Sequence, residues 1–322
     1  GHGQGAELLM NAEAAFMQGN FSDAQILLEQ TYSTIASNGQ HNISLCCDFL
    51  AARLSLFQEG VTFVKNPEVK RKELLSLHNM MWLNIFDSTY AYYYALIRMP
   101  EKIPALFKDH MLSTVSFLSP CRPMMEMIEN QVFLSQKMYA KVIGRSETLL
   151  PFCEKMHYEL VSLHVQIQTA SAYAMLGKHH DARQLLQKAL GHAMPDGFLI
   201  PFVENYTYIK DVLGSINSIT PEPFTDRILS LGSVYEQHCL RLSSRNSRPE
   251  ILNMLNSREA EIAALITDRL SNREIAERLF LSEGTVKQYV NQIYSKLMIN
   301  GDTRTKRKQL AELISSINKG LT

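Results

Sequence analysis

Lys287, Gln288 and Asn291 lie close together on a segment whose apolar positions recur at helical spacing. Lysine can donate to guanine O6 or N7, and the two carboxamides can pair with adenine N6 and N7, so the trio suits reading base edges in a DNA major groove. Val286, Val290, Ile293 and Leu297 follow steps of four, three and four and share one stripe. Gly284, Gln288, Asn291 and Ser295 then fall on the opposite face, with Lys287 at its edge. Such a helix packs through one side and offers flexible donors through the other. Gly284 removes a side chain where the helix start would approach the DNA backbone, while Thr285, Asn272 and Arg273 sit at helix N-termini, suited to holding phosphates. Arg304, Lys306, Arg307 and Lys308 form a second electropositive run, which reads equally as phosphate contacts or as a solvated helix start.

The elements that must position these residues lie within Leu255–Leu297, which breaks into three amphipathic segments. Capping residues open each of them: Ser257, then Ser271/Asn272, then Ser282. Periodicity alone also fits an ordinary three-helix surface segment. The residue types narrow this. Leu255, Ser257, Arg258 and Glu259, then Ser271, Asn272, Glu274, Ile275 and Ala276, then Thr285, Val286 and Lys287, then Lys296 and Leu297, stand at fixed spacing. In these residues the segment resembles the helix-turn-helix domain of LuxR-type bacterial regulators. The resemblance implies a four-helix DNA-binding module, double-stranded DNA as partner, and base contacts from Lys287, Gln288 and Asn291. Three positions depart from the family pattern: Arg269 stands where a small residue, usually Gly, precedes the turn Ser by two; Tyr289 replaces the usual His; and the link MINGDTRTKRK is longer than usual. The amphipathic tail Leu310–Ile317 is a candidate dimerisation element, which would suit a homodimer on half-sites ~34 Å apart.

Charge divides the chain in the same way. From Arg241 onward 14 Lys and Arg face 9 Asp and Glu, net +5; before it 18 face 23, net −5, so the whole sums to zero over 322 residues. That length allows two or three domains. The stretch 241–250, RLSSRNSRP and the residue after it, is rich in Ser and Arg and reads as a flexible basic linker between an array at 1–240 and a DNA-binding domain at 251–322.

Residues 1–240 read as helix after helix, giving an all-α chain. Ala12–Tyr32 and Ala170–Ala193 each show two helices turning at a glycine, Gly19-Asn20 and Gly177-Lys178, with small residues at the expected crossing. Both look like tetratricopeptide repeats, which stack into a curved right-handed solenoid with a concave binding face. Further helical candidates are Ile43–Gln58, Glu68–Met99, Ile103–Phe117, Met124–Lys137 and Tyr139–Met156, punctuated by Pro67, Pro100, Pro104, Pro120, Pro123 and Pro151. Asp196–Ile216 and Phe224–Leu242 continue the series. Trp82, Phe86, Tyr90, Tyr93 and Tyr94 approximate one helical face, which reads as core or as a platform for a planar ligand or sugar.

The array followed by the helix-turn-helix resembles the C-terminal part of the large ATP-dependent, MalT-like LuxR regulators. No GxxxxGK[ST] loop occurs in this chain. The alternatives are a sensor-plus-output fragment of a larger ATP-dependent (STAND-type) switch, as the Gly1 start permits, a shorter relative without the switch, or a repeat scaffold for protein partners. Five cysteines without CxxC spacing read as free thiols of a reducing, cytoplasmic setting. The histidines lack metal-ligand spacing, no cofactor is implied in this chain, and no enzyme chemistry is expected. The uncharged run Leu160–Gly177 suits a buried soluble helix better than a membrane span. A small molecule or a protein is the expected effector on the array.

Overall fold

The structure is a computed structural model. It describes residues 3, 5–36, 40–58, 61, 63, 67–115, 117, 119–246, 255–299 and 301–319, without the side chains of 67, 119, 245, 246, 303, 304 and 315–319. The described residues contain helices and no strands. They form two compact units, Gly1–Arg241 and Leu242–Thr322.

The first unit opens with α1 (Ala6–Met17) and α2 (Phe21–Ile35), an antiparallel pair turning at Gly19, whose φ of 79° places it in the left-handed region that glycine enters freely. Next come α3 (His41–Leu54), α4 (Pro67–Ser76) and α5 (Met80–Leu96). The continuous helix expected over Glu68–Met99 is therefore two helices, broken at His78, whose φ is 52°. Asn79 caps the restart by accepting from Trp82 N. The helix expected over Ile103–Phe117 reduces to the single turn α6 (Ala105–Lys108) and a 3-10 turn at Leu112–Thr114.

Then follow α7 (Arg122–Ser135), α8 (Tyr139–Met156), α9 (Glu159–Met175) and α10 (His179–Ala193). Pro123 occupies the first turn of α7, where a missing N–H costs nothing. Pro151 differs from the expected stop, because it lies inside α8. The α9–α10 turn falls at Gly177, φ 75°. Every residue from Ser162 to Ala172 is buried, so α9 is the central helix of the unit. Short α11 (Ile200–Glu204), α12 (Tyr206–Ile219) and long α13 (Pro223–Asn246) complete the array. Gly232 on α13 lets the backbone sit against Tyr206; a Cβ there would lie 2.2 Å from the ring. The helix α13 continues through Arg241–Asn246, the first part of the stretch read as a flexible linker, and residues 247–250 lie outside the described residues.

The array is closed at its ends. Leu199 N donates to Met17 O at 2.9 Å, Gln18 Nε2 to Asp196 O at 3.1 Å, and Arg227 Nη2 to Gln18 O at 3.3 Å, so the segment after α10 meets the end of α1. Beneath that seam Arg53 of α3 grips Glu204 of α11 with two bonds of 2.8 and 3.2 Å. Glu13 lies 3.1 Å from the same guanidinium, and Tyr92 OH donates to Glu204 at 2.8 Å. The guanidinium also lies over the Phe16 ring at 4.8 Å.

The second unit holds α14 (Ser257–Thr267), α15 (Asn272–Leu279), α16 (Glu283–Lys296) and α17 (Thr303–Lys319). One core joins Ile262, Ile266, Ile275, Val286, Val290, Ile293, Leu297, Leu310 and Ile314. No helix among the described residues is long and apolar enough to cross a membrane.

Candidate nucleic-acid interface

Each helix of the second unit starts on a side-chain cap, and these caps fix the register of the interface. Asn256 caps α14: its side chain accepts from Glu259 N at 2.8 Å, and the Glu259 carboxylate accepts from Asn256 N at 2.7 Å. Ser257, expected as that cap, is instead the first helical residue. Asn carries the oxygen nearer the needed position, one residue earlier. Ser271 and Glu274 make the same reciprocal pair at α15. Ser282 caps α16 by accepting from Thr285 N at 3.0 Å, and its hydroxyl pairs with that of Thr285 at 2.7 Å.

The expected stripe Val286, Val290, Ile293 and Leu297 is buried, and Tyr294 joins it. Burying these fixes the rotation of α16, so Lys287, Gln288 and Asn291 are all exposed, with Gly284 and Ser295 on the same side. Arg273, which is exposed, and Thr285, which is half-buried, stand at the N-terminal ends of α15 and α16. Arg273 pairs with Glu277 at 3.2 Å on an open surface, a contact that a phosphate can replace at little cost. Tyr289 packs partly against the core.

The basic run divides. Lys308 is exposed, and Lys306 lies 5.8 Å from the Tyr294 ring centre. Arg307 is turned inward: it donates to Asn272 Oδ1 at 3.1 Å and to the Leu270 carbonyl, tying α17 to the turn before α15. Asn272 is engaged by the same bond. The Arg304 side chain lies outside the described residues. The tail's apolar residues Leu310 and Ile314 are spent on the domain's own core.

Three structural residues carry no periodic signal. Arg258 donates to the Leu279 carbonyl at 2.8 Å, closing the end of α15. Glu259, 1% exposed, meets Lys296 Nζ at 2.7 Å and so links the start of α14 to the end of α16. Burial raises the Glu259 pKa, but the bonds from Lys296 and Asn256 N outweigh it and hold the carboxyl below its ordinary value. In the sequence Arg258, Glu259 and Lys296 are marked by their fixed places in the LuxR-type pattern, which does not say that they meet.

With this geometry the likeness to known proteins is specific. Residues 253–307 match the bacterial regulatory proteins of the luxR family. They form a LuxR-type helix-turn-helix domain. The chain is 33% identical over 110 residues to the transcriptional regulatory protein LnrK of Bacillus subtilis, covering 34% of this chain and 49% of LnrK. It is 45% identical over 53 residues to the transcriptional regulatory protein DegU of Brevibacillus brevis, 16% of this chain and 22% of DegU. Over 57 residues it is 35% identical to the DNA-binding transcriptional activator DevR/DosR of Mycobacterium tuberculosis, 18% of this chain and 26% of that protein. The chain therefore spans at most about half the length of these relatives. No solved structure matches it.

The aromatic stripe of the array is chiefly core. Phe86 and Tyr90 are buried with Leu45, Leu74 and Leu83, and Trp82 and Tyr94 pack against that cluster. Trp82 Nε1 donates to Asn42 at 2.7 Å, and Phe63 lies 5.3 Å from Tyr93, ring centre to ring centre. Tyr92, off the expected face, reaches deepest, to Glu204.

Proposed function

We propose that the chain is a transcription regulator of the cytoplasm in which α16 enters the DNA major groove and the helical array sets, in response to an effector, how often the DNA-binding domain is engaged. The observation that carries this reading is the exposed face of α16: Lys287, Gln288 and Asn291 stand together on solvent, held there by the buried stripe, within a LuxR-type domain. Two copies on half-sites ~34 Å apart would bind cooperatively. The net +5 from Arg241 onward favours the polyanion without making the whole chain a general nucleic-acid binder.

The test begins with selection of binding sites from a random DNA pool, followed by affinity measurements at several salt concentrations. Affinity is expected to fall steeply as salt rises. Lys287→Ala and Asn291→Ala should each lower preference for the selected site over its base-substituted variants, by roughly 5- to 100-fold, since a good base contact is worth about 1–3 kcal/mol. Uniform weakening on every sequence would assign these residues to the backbone and sink the base-reading part. Absence of any salt-dependent DNA binding would leave a scaffold that binds protein as the better account.

A further inference from the structure

The array contains a cavity of about 520 Å³ bounded by α1, α3, α5 and the starts of α7 and α9. That volume lies within the range of sites for small ligands, about 300–1,000 Å³. Its wall is hydrocarbon and thioether, with Leu9, Phe49, Ile85, Met124, Leu160 and Phe198 contributing. Methionines are numerous among the lining residues, and their flexible, polarisable chains adapt to varied apolar shapes.

Five titratable side chains border this lining: Glu13, Arg53, His164 and the thiols of Cys46 and Cys121, of which burial pushes Cys46 up to about 11. Arg53 is already held by Glu204 and Glu13, so an anionic head group would meet a neutralised guanidinium with a carboxyl beside it. A cationic head would meet Arg53 itself. Glu13 lines the cavity with its side chain 30% accessible. Burial raises its pKa, with Arg53 opposing, which disfavours a second charge there. His164 is 2% exposed, and its Nδ1 has no hydrogen-bond partner. Burial and then Arg53 push its pKa well down, so the ring is neutral at pH 7. A buried ring nitrogen without a partner is costly, and a hydroxyl can satisfy it in either tautomer, as donor or as acceptor.

We infer that this cavity binds an uncharged, largely apolar small molecule with one hydrogen-bonding head group, its body on the methionine-rich wall and its head on His164. The inference names the chemistry of the effector and rests on the regulatory reading only for its consequence at DNA.

The test uses the whole chain and the uncharged fluorophore N-phenyl-1-naphthylamine. One probe should bind per chain, and 1-dodecanol should displace it at least tenfold more effectively than dodecanoate or dodecylamine. Ala14 lines the cavity and is accessible, so Ala14→Trp should fill it and weaken probe binding at least tenfold while leaving affinity for the selected DNA unchanged. His164→Leu should lower the effect of 1-dodecanol about tenfold, with displacement by dodecane altered less than twofold. Probe binding that is not saturable, that survives Ala14→Trp, or that yields preferentially to a charged competitor would overturn the inference. Intact DNA binding alongside any of those results would leave the regulatory reading standing, and probe binding without DNA binding would do the reverse.

Discussion

Arg269 adopts a φ of 64° in the turn before Ser271, and its side chain is exposed. A Cβ in the left-handed region costs about 1–2 kcal/mol, which glycine avoids, though glycine loses more freedom on folding. Arg269→Gly should therefore stabilise the DNA-binding domain by roughly 0.5–1 kcal/mol, read as a higher midpoint in thermal or denaturant unfolding. The departure from the family pattern at this position is legible in the sequence as an oddity, and the backbone angle shows what it does. Arg307 is the opposite case. Its place in a basic run suggests phosphate contact, but charge does not tell inward from outward, and here the guanidinium serves Asn272 and the Leu270 carbonyl. Arg307→Ala should cost about 1–2 kcal/mol of domain stability and leave the salt slope of DNA binding nearly unchanged. Arg273→Ala should instead reduce that slope by about 1 while stability holds.

At the level of elements, the second unit depends on how α14 and α16 are joined. That Lys287, Gln288 and Asn291 share an exposed face is legible in the sequence, because helical periodicity assigns faces without any knowledge of partners. The Glu259–Lys296 link is not, because it joins positions 37 residues apart and looks in sequence like two surface charges. Glu259→Gln should destabilise the domain by about 1–3 kcal/mol, since it removes the charge paired with Lys296 and puts an NH2 group where a buried carboxylate oxygen stood. The sign of the pH dependence follows from the depressed carboxyl. Its stabilisation is complete above the ordinary value of 4.5 and disappears as pH falls through the lower folded-state value. Acid titration of unfolding should show a drop below pH 4.5 in the parent chain that is smaller in Glu259→Gln.

At the scale of the array, the sequence reveals helix pairs and conceals their closure. Gly19 and Gly177 mark hairpin turns that local rules recognise. Nothing local indicates that Arg53 will find Glu204, 151 residues further on, or that a cavity will remain beside them. Glu204→Gln should destabilise the array by about 3–5 kcal/mol, because it leaves a buried guanidinium with Glu13 alone. Denaturant unfolding followed by fluorescence of Trp82 in α5 reports on this unit directly.

The same seam sets a timetable on the ribosome. Gln18 must wait for Asp196, 178 residues later, and at about 5–20 residues per second that interval lasts on the order of ten to forty seconds. For most of it the greasy inner sides of α1 and α3 have emerged from the exit tunnel without the segment that covers them. The nascent array is accordingly a natural client for a holding chaperone, and its final shape arrives in one late step.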